Sequence, residues 1–217
     1  MKLINYSIAA TLMLNLLLCN ECNADASVKS SPEYIKVKEM YSLHPGHFDY
    51  IMLGDSITKS GKWNELLPGY SVGNRGISGD DTSGMLDRIK DVERTNAKVV
   101  FIMAGTNDIT RNVEPDNIAN NIINITKELK QKDIKVVIQS TILSGEKRKD
   151  KNPSIKKLNV LLESFAEKSG TPFLDLNSKL SKNGILSSEY TIDGTHLTAK
   201  GYEVWRDILI NFLKDIQ

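Results

Sequence analysis

From position 48 onward the chain alternates short apolar runs with longer stretches in which apolar residues recur every three or four positions. Val99-Val100-Phe101-Ile102-Met103 and Val136-Val137-Ile138 are unbroken and rich in β-branched residues. A strand with one wet face would alternate polar and apolar positions, so these runs fit central parallel strands covered on both faces. Strands are expected over residues 49–53, 70–74, 98–103, 135–140 and 172–176. Helices fill the intervals. Met85, Leu86, Ile89 and Val92 share a helical face over 82–93, and Ile118, Ile122, Ile125 and Leu129 do so over 114–132. Ile155, Leu158, Leu161, Leu162 and Phe165 repeat the pattern over 154–168, where Gly170 offers a C-cap. Thr198 offers an N-cap for a last helix over 198–214. Strand and helix in alternation define an α/β domain around a mainly parallel sheet, spanning residues 48–217 without an internal repeat or a dividing linker.

The start of the chain reads differently. Lys2, an apolar stretch over 8–18 and the small-x-small triplet Ala24-Asp25-Ala26 form the pattern of a signal peptide at 1–26. A membrane-crossing helix needs about 20 apolar residues, and this stretch is shorter. The expectation is an exported chain, periplasmic or secreted, with no stable membrane insertion after the signal is removed; a retained N-terminal anchor is the alternative. Cys19 and Cys22 both fall inside the segment, preceded by Leu18 and Glu21 where an acylated cysteine takes a small residue. The processed chain is therefore expected to lack disulfide and thiolate chemistry. Residues 27–47, with Pro32 and Pro45, read as an irregular polar leader over the surface.

Charge narrows the partners. Lys and Arg number 28 against 27 Asp and Glu, a net +1 that supplies no excess for binding a phosphate backbone, so no nucleic acid is expected. The most charged stretch, Gly-Glu-Lys-Arg-Lys-Asp-Lys-Asn at 145–152, reads as a solvated loop, with a lid or a contact for an anionic substrate as the alternative.

The candidate chemistry gathers at one edge. Ligands of an open parallel sheet bind beyond the carboxyl ends of its strands. Gly54-Asp55-Ser56-Ile57-Thr58 follows the first expected strand, Asn74-Arg75-Gly76 the second and Gly105-Thr106-Asn107-Asp108 the third, while Asp193-Gly194-Thr195-His196 follows the fifth. A serine hydroxyl becomes a useful nucleophile when an imidazole takes its proton, and a carboxylate holds that imidazole in the right tautomer. Ser56, His196 and Asp193 supply these three groups. The Ser56 and Gly76 backbone N–H groups and the Asn107 amide are the expected donors to the oxyanion of acyl transfer. Asp55 and Asp108 are read as ordering their loops, His44 and His47 as surface or packing residues, and Trp63 and Trp205 as core, with a place in an acyl pocket as the alternative for Trp63. His44 and His47 have no ligand spacing with each other or with His196, and neither a metal nor an organic cofactor is expected.

Taken together, Gly-Asp-Ser-Ile-Thr at 54–58, the glycine at 76, Gly-Thr-Asn-Asp at 105–108 and Asp-Gly-Thr-His at 193–196 resemble the blocks of the SGNH (GDSL-type) esterase and lipase superfamily. Each block alone is weak, but four in order across nearly the whole chain from residue 49 are specific. Ile57 stands where many members carry Leu. The resemblance implies a flavodoxin-like, three-layer α/β/α sandwich with five parallel strands. It also implies Ser56 as nucleophile, Asp193 and His196 as its partners, and Ser56, Gly76 and Asn107 as oxyanion donors. The function expected is hydrolysis of short acyl esters, acetyl above all, on small molecules or glycans. The ending from Thr195 through Trp205 is similar to the carbohydrate-acetylesterase and platelet-activating-factor-acetylhydrolase-like branches. A lysophospholipase or acyl-thioesterase with the same three residues is the nearest alternative; an acyltransferase and a non-catalytic glycan-binding protein are the others. Oligomeric state is not legible.

Overall fold

Unbroken apolar runs become the middle of the sheet because both faces must be covered. In the computed structural model, which describes residues 28–215, five strands form: β1 (Tyr50–Gly54), β2 (Val72–Gly76), β3 (Val99–Met103), β4 (Lys135–Gln139) and β5 (Phe173–Leu174). The expected signal peptide at 1–26, with Cys19 and Cys22, lies outside the described residues. The strand order is β2-β1-β3-β4-β5, and every neighbouring pair is parallel. The chain thus starts in the second position and winds outward in both directions, which leaves a crevice beyond the ends of β1 and β3. β5 is shorter than expected. Asp175 ends it by accepting a hydrogen bond at Oδ1 from the Asn177 N–H (3.0 Å), which turns the chain into a helix.

The helices in chain order are α1 (Pro32–Leu43), α2 (Ser56–Ser60), α3 (Trp63–Leu66), α4 (Thr82–Asp87), α5 (Ile89–Glu93), α6 (Thr106–Thr110), α7 (Pro115–Lys130), α8 (Asn152–Ser169), α9 (Asn177–Leu180) and α10 (Ala199–Asp215). A small antiparallel hairpin pairs Ser181–Lys182 with Ile185–Leu186. Successive strand residues point to opposite faces. Ile51, Leu53, Val100 and Ile102 accordingly share a buried cluster with Met85 of α4, Ile118, Ile122 and Ile125 of α7, and Ile155 and Leu158 of α8. Met52, Phe101 and Met103 share the opposite one with Ile57 of α2, Trp63 of α3, and Tyr202, Trp205 and Leu209 of α10. The result is the three-layer α/β/α sandwich implied by the four sequence blocks. Gly170 caps α8 in the left-handed conformation at φ 62°, and Thr198 Oγ1 accepts from the Gly201 N–H at the start of α10 (3.2 Å).

Two expectations are corrected. Residues 28–47 are not irregular, since most of the stretch is α1. Ser31 Oγ accepts from the Tyr34 N–H (3.2 Å), and Pro32 begins the helix where a missing N–H costs nothing. Tyr34 is buried, with its hydroxyl 2.7 Å from Gly84 O and 2.9 Å from Asp87 Oδ2. Ile35, Met40 and Leu43 of the same helix are exposed, so no apolar periodicity announced it.

The expected helix over 82–93 is two helices, interrupted at Arg88 (φ −110°, ψ 15°). Arg88 is fully buried. Its guanidinium pairs with Asp80 at 2.8 Å and donates to Arg75 O (2.8 Å) and Gly54 O (3.3 Å). One side chain thereby ties together the carboxyl ends of β1 and β2. Burial pushes the Asp80 carboxyl up to about 6 despite the attraction of Arg88. Arg88→Leu is expected to destabilise the fold by about 3–5 kcal/mol in urea unfolding, because it strands a buried carboxyl. The double variant Asp80→Asn/Arg88→Met should lose less. Equal losses in the two variants would contradict this account.

Candidate active site

The last residue of β1 is followed at once by α2, and that junction presents Ser56. Asp55 is the N-cap, accepting at Oδ1 from the Ile57 N–H (2.9 Å), and Ser56 is the first helical residue. Its own N–H therefore has no acceptor within the helix. Gln139 Oε1, at the end of β4, accepts from Trp205 Nε1 (2.7 Å), and the Tyr202 hydroxyl donates to Ile57 O (2.7 Å). α10 is thus held against both the sheet and the helix that begins at Ser56.

The loop before α10 brings up the other groups. Asp193 Oδ1 accepts from the N–H groups of Thr195 (2.9 Å) and His196 (2.8 Å), a local turn that leaves Oδ2 2.8 Å from His196 Nδ1. Thr191 Oγ1 donates to His196 O (2.9 Å) and accepts from the Gly194 N–H (2.9 Å), closing the loop on itself. Across 140 positions of sequence, His196 Nε2 lies 3.0 Å from Ser56 Oγ. Because an ionised carboxylate only accepts, Nδ1 carries the proton in the neutral ring and Nε2 is the acceptor that faces the serine hydroxyl. Burial works to raise the Asp193 carboxyl. Hydrogen bonds from the His196 ring and from the His196 and Thr195 N–H groups overcome it and hold the group well below the usual carboxylate range. Asp193 is thereby kept ionised beside the ring that it orients.

Ser56, Asp193 and His196 line a cavity of about 390 Å³ together with Ser78, Gly79, Thr106, Asn107, Thr110, Arg148 and Thr195. Asn107, at the start of α6, donates from Nδ2 to Asp80 O (2.8 Å), which fixes its amide in the cavity wall. Its second N–H has only a long 3.5 Å contact with Asp55 Oδ2. Gly76 is a correction. It ends β2, its N–H donates to Asn74 Oδ1 (2.9 Å), and it is absent from the cavity lining. A Cβ there would fall 2.2 Å from the Lys59 backbone nitrogen, so Gly76 serves the close approach of β2 to α2. The glycine at the cavity is Gly79, whose φ of 75° suits a residue without Cβ. Its N–H has no hydrogen-bond partner among the described residues. The signal for it was Ser78-Gly79-Asp80-Asp81 itself: a glycine in a tight turn next to the N-cap of a helix, Asp81.

The other singled-out residues fall into place. Trp63 is buried, packs edge-on against Trp205 at 4.9 Å, and does not reach the cavity. Asp108 accepts from the Thr82 N–H (3.1 Å) and hydroxyl (2.5 Å), anchoring α4 beneath the site. His44 follows α1 and His47 lines a separate shallow groove. Among the described residues no three His, Cys, Asp or Glu side chains are grouped to hold a metal, and no helix is long and apolar enough to cross a membrane.

Residues 52–204 match the GDSL-like Lipase/Acylhydrolase family, and the chain belongs to that family. It is similar to an N-acylneuraminate cytidylyltransferase of Streptococcus agalactiae serotype V, 26% identical over 194 residues that make up 89% of this chain and 46% of that protein. The chain thus spans less than half the length of that relative. It is also similar to platelet-activating factor acetylhydrolase IB subunit alpha2 of Rattus norvegicus, 28% identical over 164 residues and 71% of each chain. A GDSL-like lipase from Bacteroides thetaiotaomicron shares the fold at a TM-score of 0.71 and 26% identity, covering 85% of this chain and 98% of that one.

Asp55 gives the site a measurable signature. Burial pushes its carboxyl up to about 7 against the pull of the Ile57 N–H, with Asp80 and Asp108 adding to the rise. Between pH ~4 and ~7 the folded chain keeps a proton that the unfolded chain has released. Stability should therefore fall as pH rises through that window, by up to about 4 kcal/mol from this group at 1.36 kcal/mol per unit. Asp80 contributes in the same direction up to about pH 6. Asp55→Asn is expected to flatten the dependence in urea melts at pH 4.5 and 7.5, and a slope equal to that of the unaltered protein would count against it.

Proposed function

We propose that the protein is a serine esterase that releases short acyl groups, acetyl foremost, from small-molecule or carbohydrate esters. The carrying observation is the continuous line from Asp193 Oδ2 through the His196 ring to Ser56 Oγ, at 2.8 and 3.0 Å, opening onto one cavity. In the first step Ser56 Oγ attacks the ester carbonyl while His196 Nε2 takes the hydroxyl proton. The tetrahedral oxyanion is met by the Ser56 and Gly79 N–H groups and the Asn107 amide. Collapse expels the alcohol, which takes its proton from Nε2 and leaves an acyl-serine. Water then attacks with His196 again as base, releasing the carboxylic acid and restoring Ser56. No metal or cofactor enters this sequence of steps.

Acyl length is argued from the walls. Among the described residues that line the cavity none has a large apolar side chain, so a long hydrocarbon chain would gain little by entering it. The name of one relative, an acetylhydrolase, points the same way, and the name of another refers to a sugar derivative, an N-acylneuraminate.

Ser56→Ala should lower turnover of 4-nitrophenyl acetate by at least about 10³-fold and leave the thermal melt within a degree or two. Retained turnover in that variant would remove the assignment. Across 4-nitrophenyl esters from C2 to C12, kcat/KM is expected to peak at C2–C4 and drop about tenfold by C8. A preference for C8 or longer would favour a lysophospholipase or thioesterase instead.

A further inference from the structure

Among the described residues, Arg148 is the only Lys or Arg whose side chain lines the cavity in front of Ser56. It belongs to the 3₁₀ segment Glu146–Lys151 and departs there from helical geometry (φ −136°, ψ 20°). That segment is joined to the His196 loop by a hydrogen bond from the Gly145 N–H to Gly194 O (2.9 Å). The stem of Arg148 also lies along Gly194: a Cβ built on that glycine would sit 3.8 Å from Arg148 Cγ and 4.0 Å from Cδ. Several of the nearby charges are already engaged. Lys149 pairs with Glu146 (2.5 Å), Arg111 with Asp81 (3.2 Å), and Asp193 is committed to His196. No carboxylate lies within ion-pair distance of the exposed Arg148 side chain among the described residues. A second cation stands behind it, where Lys151 Nζ donates to Thr110 Oγ1 (2.7 Å), itself a lining residue. Burial and the charge of Arg148 lower the affinity of Lys151 for its proton against the pull of the Asp150 carboxylate, so the two cations feel one another across this patch.

We propose that Arg148, backed by Lys151, selects esters whose alcohol part carries an oxyanion, a carboxylate or a phosphate, so that the acylated substrate of Ser56 is acidic. The inference rests on the esterase reading above and narrows its substrate class. The guanidinium fork fits either group through two parallel N–H···O bonds. The protein as a whole is nearly neutral, so the preference is a property of this patch alone.

The test compares three acetylated sugars that differ at one carbon: a methyl glucoside, the matching methyl glucuronide and the matching glucoside 6-phosphate, with 4-nitrophenyl acetate as a fourth ester. The glucuronide, the phosphate or both should exceed the neutral glucoside about tenfold in kcat/KM at low salt, and which of them does so separates a carboxylate from a phosphate. Arg148→Gln should erase that ratio, Arg148→Lys should restore part of it, and 1 M NaCl should shrink it in the unaltered protein. Equal kcat/KM for neutral and anionic sugars overturns the inference while leaving the esterase intact. An Arg148→Gln variant that loses all four substrates in the same proportion also overturns it, because the side chain would then be acting on Asp193 and His196. A protein inert toward every ester, 4-nitrophenyl acetate included, ends the esterase reading and this inference with it.

Discussion

The geometry at Ser56 depends on how the last helix is fastened to the first strand–helix junction. The Tyr202 hydroxyl donates to Ile57 O, Trp205 Nε1 donates to Gln139 Oε1, and Trp63 wedges edge-on against Trp205. All three rings are buried, so each polar tip needed a partner, and two found one on α2 and the third at the end of β4. Trp63 Nε1 completes the set by donating to Thr58 O (2.9 Å). The serine and histidine are 140 positions apart in the chain, and this aromatic brace is what keeps their side chains at hydrogen-bond distance.

A second constraint lies beneath the site, where Asp55, Asp80, Asp108 and Arg88 are all buried. Only one of the three carboxyls has the guanidinium as its ion-pair partner. The others are satisfied by backbone and hydroxyl donors from α2 and α4. Each of these bonds secures a chain segment that carries part of the cavity: Ser56, the turn at Gly79, or the start of α6 at Asn107. Burial raises all three carboxyls, which is the cost of building the platform from polar groups. A hydrophobic platform would pack well but would not satisfy the backbone groups exposed where three strands end together.

Much of the fold was legible because its strands obey a simple rule. Runs such as Val99–Met103 are apolar at every position, and only a central parallel strand with helices on both sides accounts for that. Long amphipathic helices were legible for the same reason, and α7 and α8 lie within about two residues of their expected bounds. What escaped the pattern was held by single side chains. α1 buries one tyrosine, and the break between α4 and α5 serves one arginine. Periodicity averages over many positions and cannot register either.

The sequence by itself determined the order of the elements, the edge to which the four motif blocks project, and the class of chemistry their residues can perform. Local chemistry sufficed for these, since Asp55 caps the residues right after it and Asp193 turns back on its own loop. Tertiary structure alone decided which glycine reaches the cavity. Gly76 and Gly79 are three residues apart, but the Asn74 side chain consumes the N–H of the first, and the turn leaves that of the second without a partner among the described residues. It also decided that Arg148, one of several cations in a charged stretch, is the one that faces the cavity beside Ser56, because only the seating of that segment on Gly194 aims it there.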